Sequence, residues 1–117
     1  MILGIGVDIV RISRFEKLNG KILDRLFTER EQALFSRRRV ERMAANFAGK
    51  EAFIKAVGRV FKWKEIEILR KENGEPYIIL SGQARKLLEE RGLRKAFISL
   101  SHDGEYAIAF VILEGGK

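Results

Sequence analysis

The chain has 117 residues, 46% of them hydrophobic and 33% charged, so a single domain over residues 1–117 with an apolar core and a heavily charged surface is expected. It has no cysteine and a single histidine, His102, which excludes disulfides, thiol catalysis, thiolate-bound zinc and any multi-histidine metal site within one chain. A metal would therefore be hard and oxygen-ligated, which favours magnesium. The net charge of +7 points to an anionic partner: nucleic acid, a phosphorylated cofactor, an acidic protein or an anionic membrane.

No apolar run approaches the ~20 residues needed to span a bilayer. Met1 leads straight into a strand, so no signal peptide is expected and the cytoplasm is the default compartment. Over residues 1–10, Leu3, Ile5, Val7 and Ile9 alternate with Ile2, Gly4, Gly6 and Asp8. The glycines on the second face permit close approach by another group, and Asp8 ends that face as either a ligand or a solvated carboxylate. Ser13 and Glu16 have capping-box spacing, which predicts a short helix from Arg14 to near Asn19-Gly20. Thr28 and Glu31 repeat the signal and predict a second helix through Ala33, Leu34 and Phe35. The basic run Arg37-Arg38-Arg39 is either a solvated face or a phosphate contact.

A long helix is predicted from near Arg38 to a stop at Gly58, with Phe47, Phe53, Ile54 and Val57 on its apolar face. Glu51 and Lys55 are spaced i, i+4, and Ala44 and Ala48 precede them on the same strip. This spacing suits a routine surface ion pair; the small residues beside the charges also suit a pocket for an anion and its metal. Beyond Gly58 the period changes to two. Residues 65–69 and 76–80 flank Asn73-Gly74 as a hairpin, with Pro76 opening its second strand. Ser81 is placed to cap a helix through Ala84, Leu87 and Leu88, ended by Gly92. Residues 95–102 and 106–113 form a last hairpin around Asp103-Gly104, with Phe97, Ser99 and Ser101 opposite Ile98, Leu100 and His102. The expected fold is α+β, an antiparallel sheet packed around a long central helix.

Three segments stand together in this order: Gly4-Ile5-Gly6-Val7-Asp8, the stretch Phe47-Ala48-Gly49-Lys50-Glu51-Ala52-Phe53-Ile54-Lys55-Ala56-Val57-Gly58, and Ser99-Leu100-Ser101-His102-Asp103 followed by Tyr106 to Ala109. Over nearly its whole length the chain resembles the holo-[acyl-carrier-protein] synthases, the small class of 4′-phosphopantetheinyl transferases. The resemblance implies transfer of phosphopantetheine from coenzyme A to a serine of acyl carrier protein, with magnesium and release of adenosine 3′,5′-bisphosphate, in the service of fatty acid biosynthesis. It implies that Asp8 and Glu51 are metal ligands, that Lys55 and His102 face coenzyme A, and that Arg14 docks the acidic carrier protein. It also implies a homotrimer with active sites between subunits, and neither nucleic acid nor membrane as partner. Two positions depart from the family's pattern: Asn46 stands where an arginine is usual, and the connection after Gly58 is shorter than the family's glycine-rich loop.

The residue types suit the reaction. Phosphoryl transfer depends on positioning and charge neutralisation. Magnesium takes one or two carboxylates together with phosphate oxygens and waters, which Asp8, Glu51 and a pyrophosphate would supply. Lys55 would neutralise charge on the leaving phosphate. The base for the serine proton stays open among Glu51, Asp8 and a metal-bound water. The rival reading is a small basic RNA-binding module, with Arg37 to Arg39 as its charge and the Phe97 strand as a stacking surface. A further reading keeps the fold and loses catalysis, against which Asp8, Glu51, Lys55 and His102 are all intact.

Overall fold

The computed structural model describes residues 1–116. Strand β1 (Ile2–Arg11) carries glycines on one face and branched aliphatics on the other, and the glycine face is the one turned inward. It lies against helix α3 (Arg39–Val57) so closely that a Cβ on Gly4 would run into the carbonyl oxygen of Ala56, and one on Gly6 into that of Ala52. The helix meets the sheet through small side chains: Ala44, Ala48 and Ala52 are fully buried, opposite the buried Ala107 and Ala109 of strand β5 (Tyr106–Gly115). The alanine strip expected to leave open volume beside Glu51 is therefore filled by the sheet, because backbone approach consumes the space that small residues release.

β1 and β4 (Leu93–Asp103) flank β5 in an antiparallel sheet of order β1-β5-β4, so the first strand pairs with the last. Asp8 stands opposite Ala109, which stands opposite Leu100; Val10, Ala107 and His102 form the next row on the same face. A separate hairpin of β2 (Ile66–Arg70) and β3 (Pro76–Leu80) turns through Gly74, at φ 90. The other turn sits one residue beyond expectation. Asp103 pairs with Tyr106, so Gly104-Glu105 are its central residues, with Gly104 at φ 59 in the first of them as a II′ turn requires.

The first predicted helix is replaced by a 3-10 turn over Ile12–Phe15. Asn19 does not stop a helix but starts one: its side chain accepts from the Ile22 amide and caps α1 (Gly20–Leu26). The Thr28–Glu31 capping box forms as expected, yet α2 (Glu29–Ala33) ends before Leu34, where a 3-10 turn takes over. Helix α4 (Gly82–Glu90) starts after Ser81, whose hydroxyl makes no cap. Glu65, from the connection before β2, does so instead, accepting from the amides of Gln83 (3.2 Å) and Ala84 (3.3 Å).

The rotation of α3 about its axis is fixed by a buried polar cluster on the side away from the sheet. Lys50 and Glu31 are fully buried and paired at 2.8 Å, and Lys50 also donates to the carbonyls of Trp63 and Ile66. Glu31 accepts in addition from the Asn46 amide group, the Ile68 backbone amide and the Thr28 backbone amide. Buried charges persist where every group finds partners. This cluster ties α2 and β2 to one face of the helix, leaving Glu51 at the edge of the opposite face, toward Asp8.

Candidate active site

Two neighbourhoods flank α3. On the β1 side, Lys55 donates to the Asp8 carboxylate at 2.9 Å and to the Val7 carbonyl at 3.1 Å. The lysine thus pairs with Asp8 across the helix–strand contact instead of with Glu51, its neighbour by helical spacing. Asp8 is nearly enclosed, at 12% side-chain exposure against 54% for Lys55. Glu51 is half-buried one turn before Lys55, with no hydrogen bond among the described residues. Burial, and after it the Asp8 charge, push its carboxyl pKa above the usual carboxylate range, against opposing pulls from Lys55 and Arg14.

Arg14 completes this neighbourhood from the 3-10 turn after β1. Its guanidinium lies 6.0 Å from the Phe15 ring and 5.9 Å from that of Phe47, at the end of an aromatic row in which Phe15, Phe47 and Trp63 follow one another at 5.3 and 5.0 Å. The structure brings Asp8, Glu51 and Lys55 together, with Arg14 close enough to act on the Glu51 charge. Two carboxylates, one of them electrostatically strained, form an oxygen donor pair that a hard divalent cation would relieve. No cluster of three or more such ligands occurs among the described residues, so substrate oxygens would have to complete a coordination shell.

His102 is elsewhere. It sits on β4, two strands from Asp8, at a cleft of about 220 Å³ beside the N-terminal turns of α3. Arg38, Glu41, Arg42 and Arg70 line the same cleft, which is therefore strongly cationic. Arg38 is the one non-glycine residue with positive φ (46°) among those described, a backbone state costing about 1–2 kcal/mol in a residue other than glycine. Within one chain, then, His102 does not join Asp8, Glu51 and Lys55. Sequence reasoning missed Arg42 and Arg70; their grouping with His102 depends on how the β2-β3 hairpin packs, which no local spacing encodes. A larger hollow of about 420 Å³, bordered by Arg59, Lys62, Lys86 and Glu90, touches none of the expected site residues.

On its outer face the three-stranded sheet is apolar and uncovered. Ile5 and Ile9 are 60% exposed, and Val7, Phe97, Ile108 and Phe110 lie beside them. This surface is mainly aliphatic, and the arginine cluster lies off the sheet's opposite face, an arrangement unlike a basic stacking platform for RNA.

Comparison with known proteins bears on both neighbourhoods. Residues 4–111 match the family model of the 4′-phosphopantetheinyl transferase superfamily. A holo-[acyl-carrier-protein] synthase of Geotalea daltonii is 44% identical over 97% of this chain and 99% of its own length. The crystal structure of holo-[acyl-carrier-protein] synthase from Neisseria meningitidis superposes with a TM-score of 0.89 at 33% identity, covering 97% of this chain and 99% of that one. A holo-(acyl-carrier-protein) synthase from Bacillus anthracis, solved in complex with coenzyme A (3′,5′-ADP), gives 0.82 at 34% identity over 99% of both chains. With the carboxylate pair, the cationic cleft and a full-length match in hand, the chain belongs to the holo-[acyl-carrier-protein] synthases of the 4′-phosphopantetheinyl transferase superfamily.

Proposed function

We propose that this chain moves the 4′-phosphopantetheine group from coenzyme A to a serine of apo acyl carrier protein in a magnesium-dependent reaction. The observation that carries the reading is the Asp8–Glu51–Lys55–Arg14 cluster, in which two carboxylates of β1 and α3 converge beside two cations. The serine oxygen bonds to the phosphorus that bears the pantetheine arm. The bridging P–O bond breaks, and its oxygen departs with adenosine 3′,5′-bisphosphate. Asp8 and Glu51 would hold magnesium, which when bound supplies charge neutralisation at the pyrophosphate.

The remaining roles fall to the chain's own side chains. Asp8 already accepts a hydrogen bond from Lys55, whereas Glu51 accepts none among the described residues and holds its proton more readily than an ordinary carboxylate. Lys55 lies within reach of the same oxygens and neutralises the departing phosphate. Arg14, exposed at the rim, meets the acidic carrier.

His102 and its arginines contribute from a second chain. The uncovered apolar sheet face supports assembly, and a homotrimer would set the cationic cleft of one subunit beside the carboxylate pair of its neighbour. Coenzyme A would then bind between subunits, its nucleotide end in the cleft. With these substrates the reaction belongs in the cytoplasm, in fatty acid biosynthesis; among the described residues no helix is long and apolar enough to cross a membrane.

The direct test incubates the protein with coenzyme A, magnesium and apo carrier protein and weighs the carrier by mass spectrometry. The expected outcome is a mass gain of one phosphopantetheine that depends on magnesium. An unchanged carrier with all three components present overturns the reading.

A further inference from the structure

We propose that Lys55 is a built-in counter-ion of the carboxylate pair: it holds Asp8 in the free enzyme and gives it up to a divalent cation while passing to a phosphate of coenzyme A, so that cation and coenzyme A bind cooperatively. The inference rests on the function proposed above and goes beyond it by naming what the cation must displace.

The Lys55 ammonium has two acceptors, both on β1: Asp8 Oδ1 at 2.9 Å and the Val7 carbonyl at 3.1 Å. A lysine carries three donors, so one N–H is left for a further anion. The lysine side chain is half exposed and the Asp8 side chain nearly enclosed, which makes Lys55 the mobile member of the pair. Half-exposed ion pairs are weak and readily exchanged. Lys50, on the same helix, is the contrasting case. It is fully buried and donates to Glu31 and to the carbonyls of Trp63 and Ile66, so all three of its donors are used. One lysine of α3 is fixed in place and the other is free to change partner.

The charges around Lys55 do not balance. With both carboxylates ionised, Asp8 and Glu51 carry one negative charge more than Lys55 neutralises, and Glu51 has no hydrogen bond among the described residues. A divalent cation held by both carboxylates would redress this, but with Lys55 still on Asp8 it would set two positive centres on one carboxylate, and these repel. A pyrophosphate resolves the conflict, because its oxygens serve the cation and the released ammonium together. The flexible four-carbon stem of Lys55 allows the exchange without movement of the helix backbone. A cation arriving alone must break the pair and leave the ammonium with no new acceptor. Coenzyme A supplies that acceptor, and by linkage each ligand then tightens the other.

The test measures the affinity of manganese(II), by paramagnetic resonance of the free ion, for wild type, Lys55→Met and Arg14→Gln, each with and without saturating coenzyme A and with no carrier present. Lys55→Met keeps the aliphatic stem at a half-exposed position and removes only the ammonium. Without coenzyme A it should bind manganese about three- to thirtyfold more tightly than wild type, the range of a half-exposed charge-assisted contact. Arg14→Gln removes a charge that also acts on Glu51 but makes no hydrogen bond to Asp8, and in physiological salt should change the affinity less than about twofold. Coenzyme A should tighten manganese binding by a larger factor in wild type than in Lys55→Met. Equal manganese affinity in wild type and Lys55→Met, or a gain no larger than that of Arg14→Gln, overturns the exchange. Weaker binding by Lys55→Met also overturns it, in favour of a lysine that steadies Asp8 for the cation; in each case the proposed function stands. A wild type that takes up no manganese even with coenzyme A removes the magnesium-dependent function and this inference together.

Discussion

Glu51 is held where its charge is unwelcome. Its folded-state pKa lies above the usual value, so deprotonation favours the unfolded chain. The cost is absent well below the ordinary carboxylate range, grows as pH rises from that range toward the raised value and is complete above it. Glu51→Gln should therefore raise the melting temperature of the metal-free protein at pH 7, and the gain should vanish in acid. The same variant should lose transfer by on the order of 100-fold or more. Near-wild-type turnover at low magnesium would sink the assignment, as would a lower melting temperature. Arg14 stands close enough to Glu51 to oppose that shift, so reversing its charge would disturb two functions at once. The neutral variant Arg14→Gln separates them: KM for the carrier should rise severalfold and lose part of its salt dependence, with KM for coenzyme A unmoved. At this scale the sequence was informative about the carboxylates, because helical spacing joins Glu51 to Lys55 and the strand motif supplies Asp8. It was silent on the grouping of Arg42 and Arg70 with His102, which only the packing of the β2-β3 hairpin creates.

Among the elements, hairpins and capping boxes with strong local chemistry were legible, Asn73-Gly74 and Thr28–Glu31 above all. Two failures share a cause. By residue type alone Asn19 reads as a stop and Ser81 as a cap, whereas Asn19 starts α1 and the cap at Ser81 is supplied by Glu65 from another part of the chain. The side of β1 that faces the core was likewise undetermined by alternation, since both faces read as buriable and the glycine face won by admitting the helix backbone. Gly6→Ala tests that contact. The added methyl meets the Ala52 carbonyl, a backbone atom that cannot swing aside, so a loss of about 3 kcal/mol or more is expected in denaturant melts. A near-neutral result would show that the helix and strand are not in such close contact. At the α2–β2 contact, burial pushes the Glu67 carboxyl up, but hydrogen bonds from Arg30 and Thr28 more than offset it and hold the pKa below its usual value. That stabilisation is present above the ordinary carboxylate pKa and is lost as pH falls through the lowered one. Glu67→Gln should cost about 1–3 kcal/mol near neutrality and flatten the acid limb of the stability curve. An acid limb identical to the wild type would refute the linkage.

The whole molecule displays what neither residues nor elements do, a sheet apolar on both sides. Phe97, Ile108, Phe110 and the outer aliphatics of β1 are consistent with the homotrimer proposed above, so light scattering at micromolar concentration should give about three chains per particle. Phe110→Asp should yield folded monomers that still bind adenosine 3′,5′-bisphosphate weakly but transfer nothing; active monomers would eliminate a shared site. The order β1-β5-β4 has a separate bearing on how the chain is made. Asp8 pairs with Ala109, so β1 waits for the synthesis of β5 before it has a neighbour in the sheet. At about 5–20 residues per second that wait lasts roughly 5–20 s, during which Ile5, Val7 and Ile9 are open to other nascent chains. Folding is then dominated by a contact of very long sequence separation, which slows it relative to folds built from local contacts.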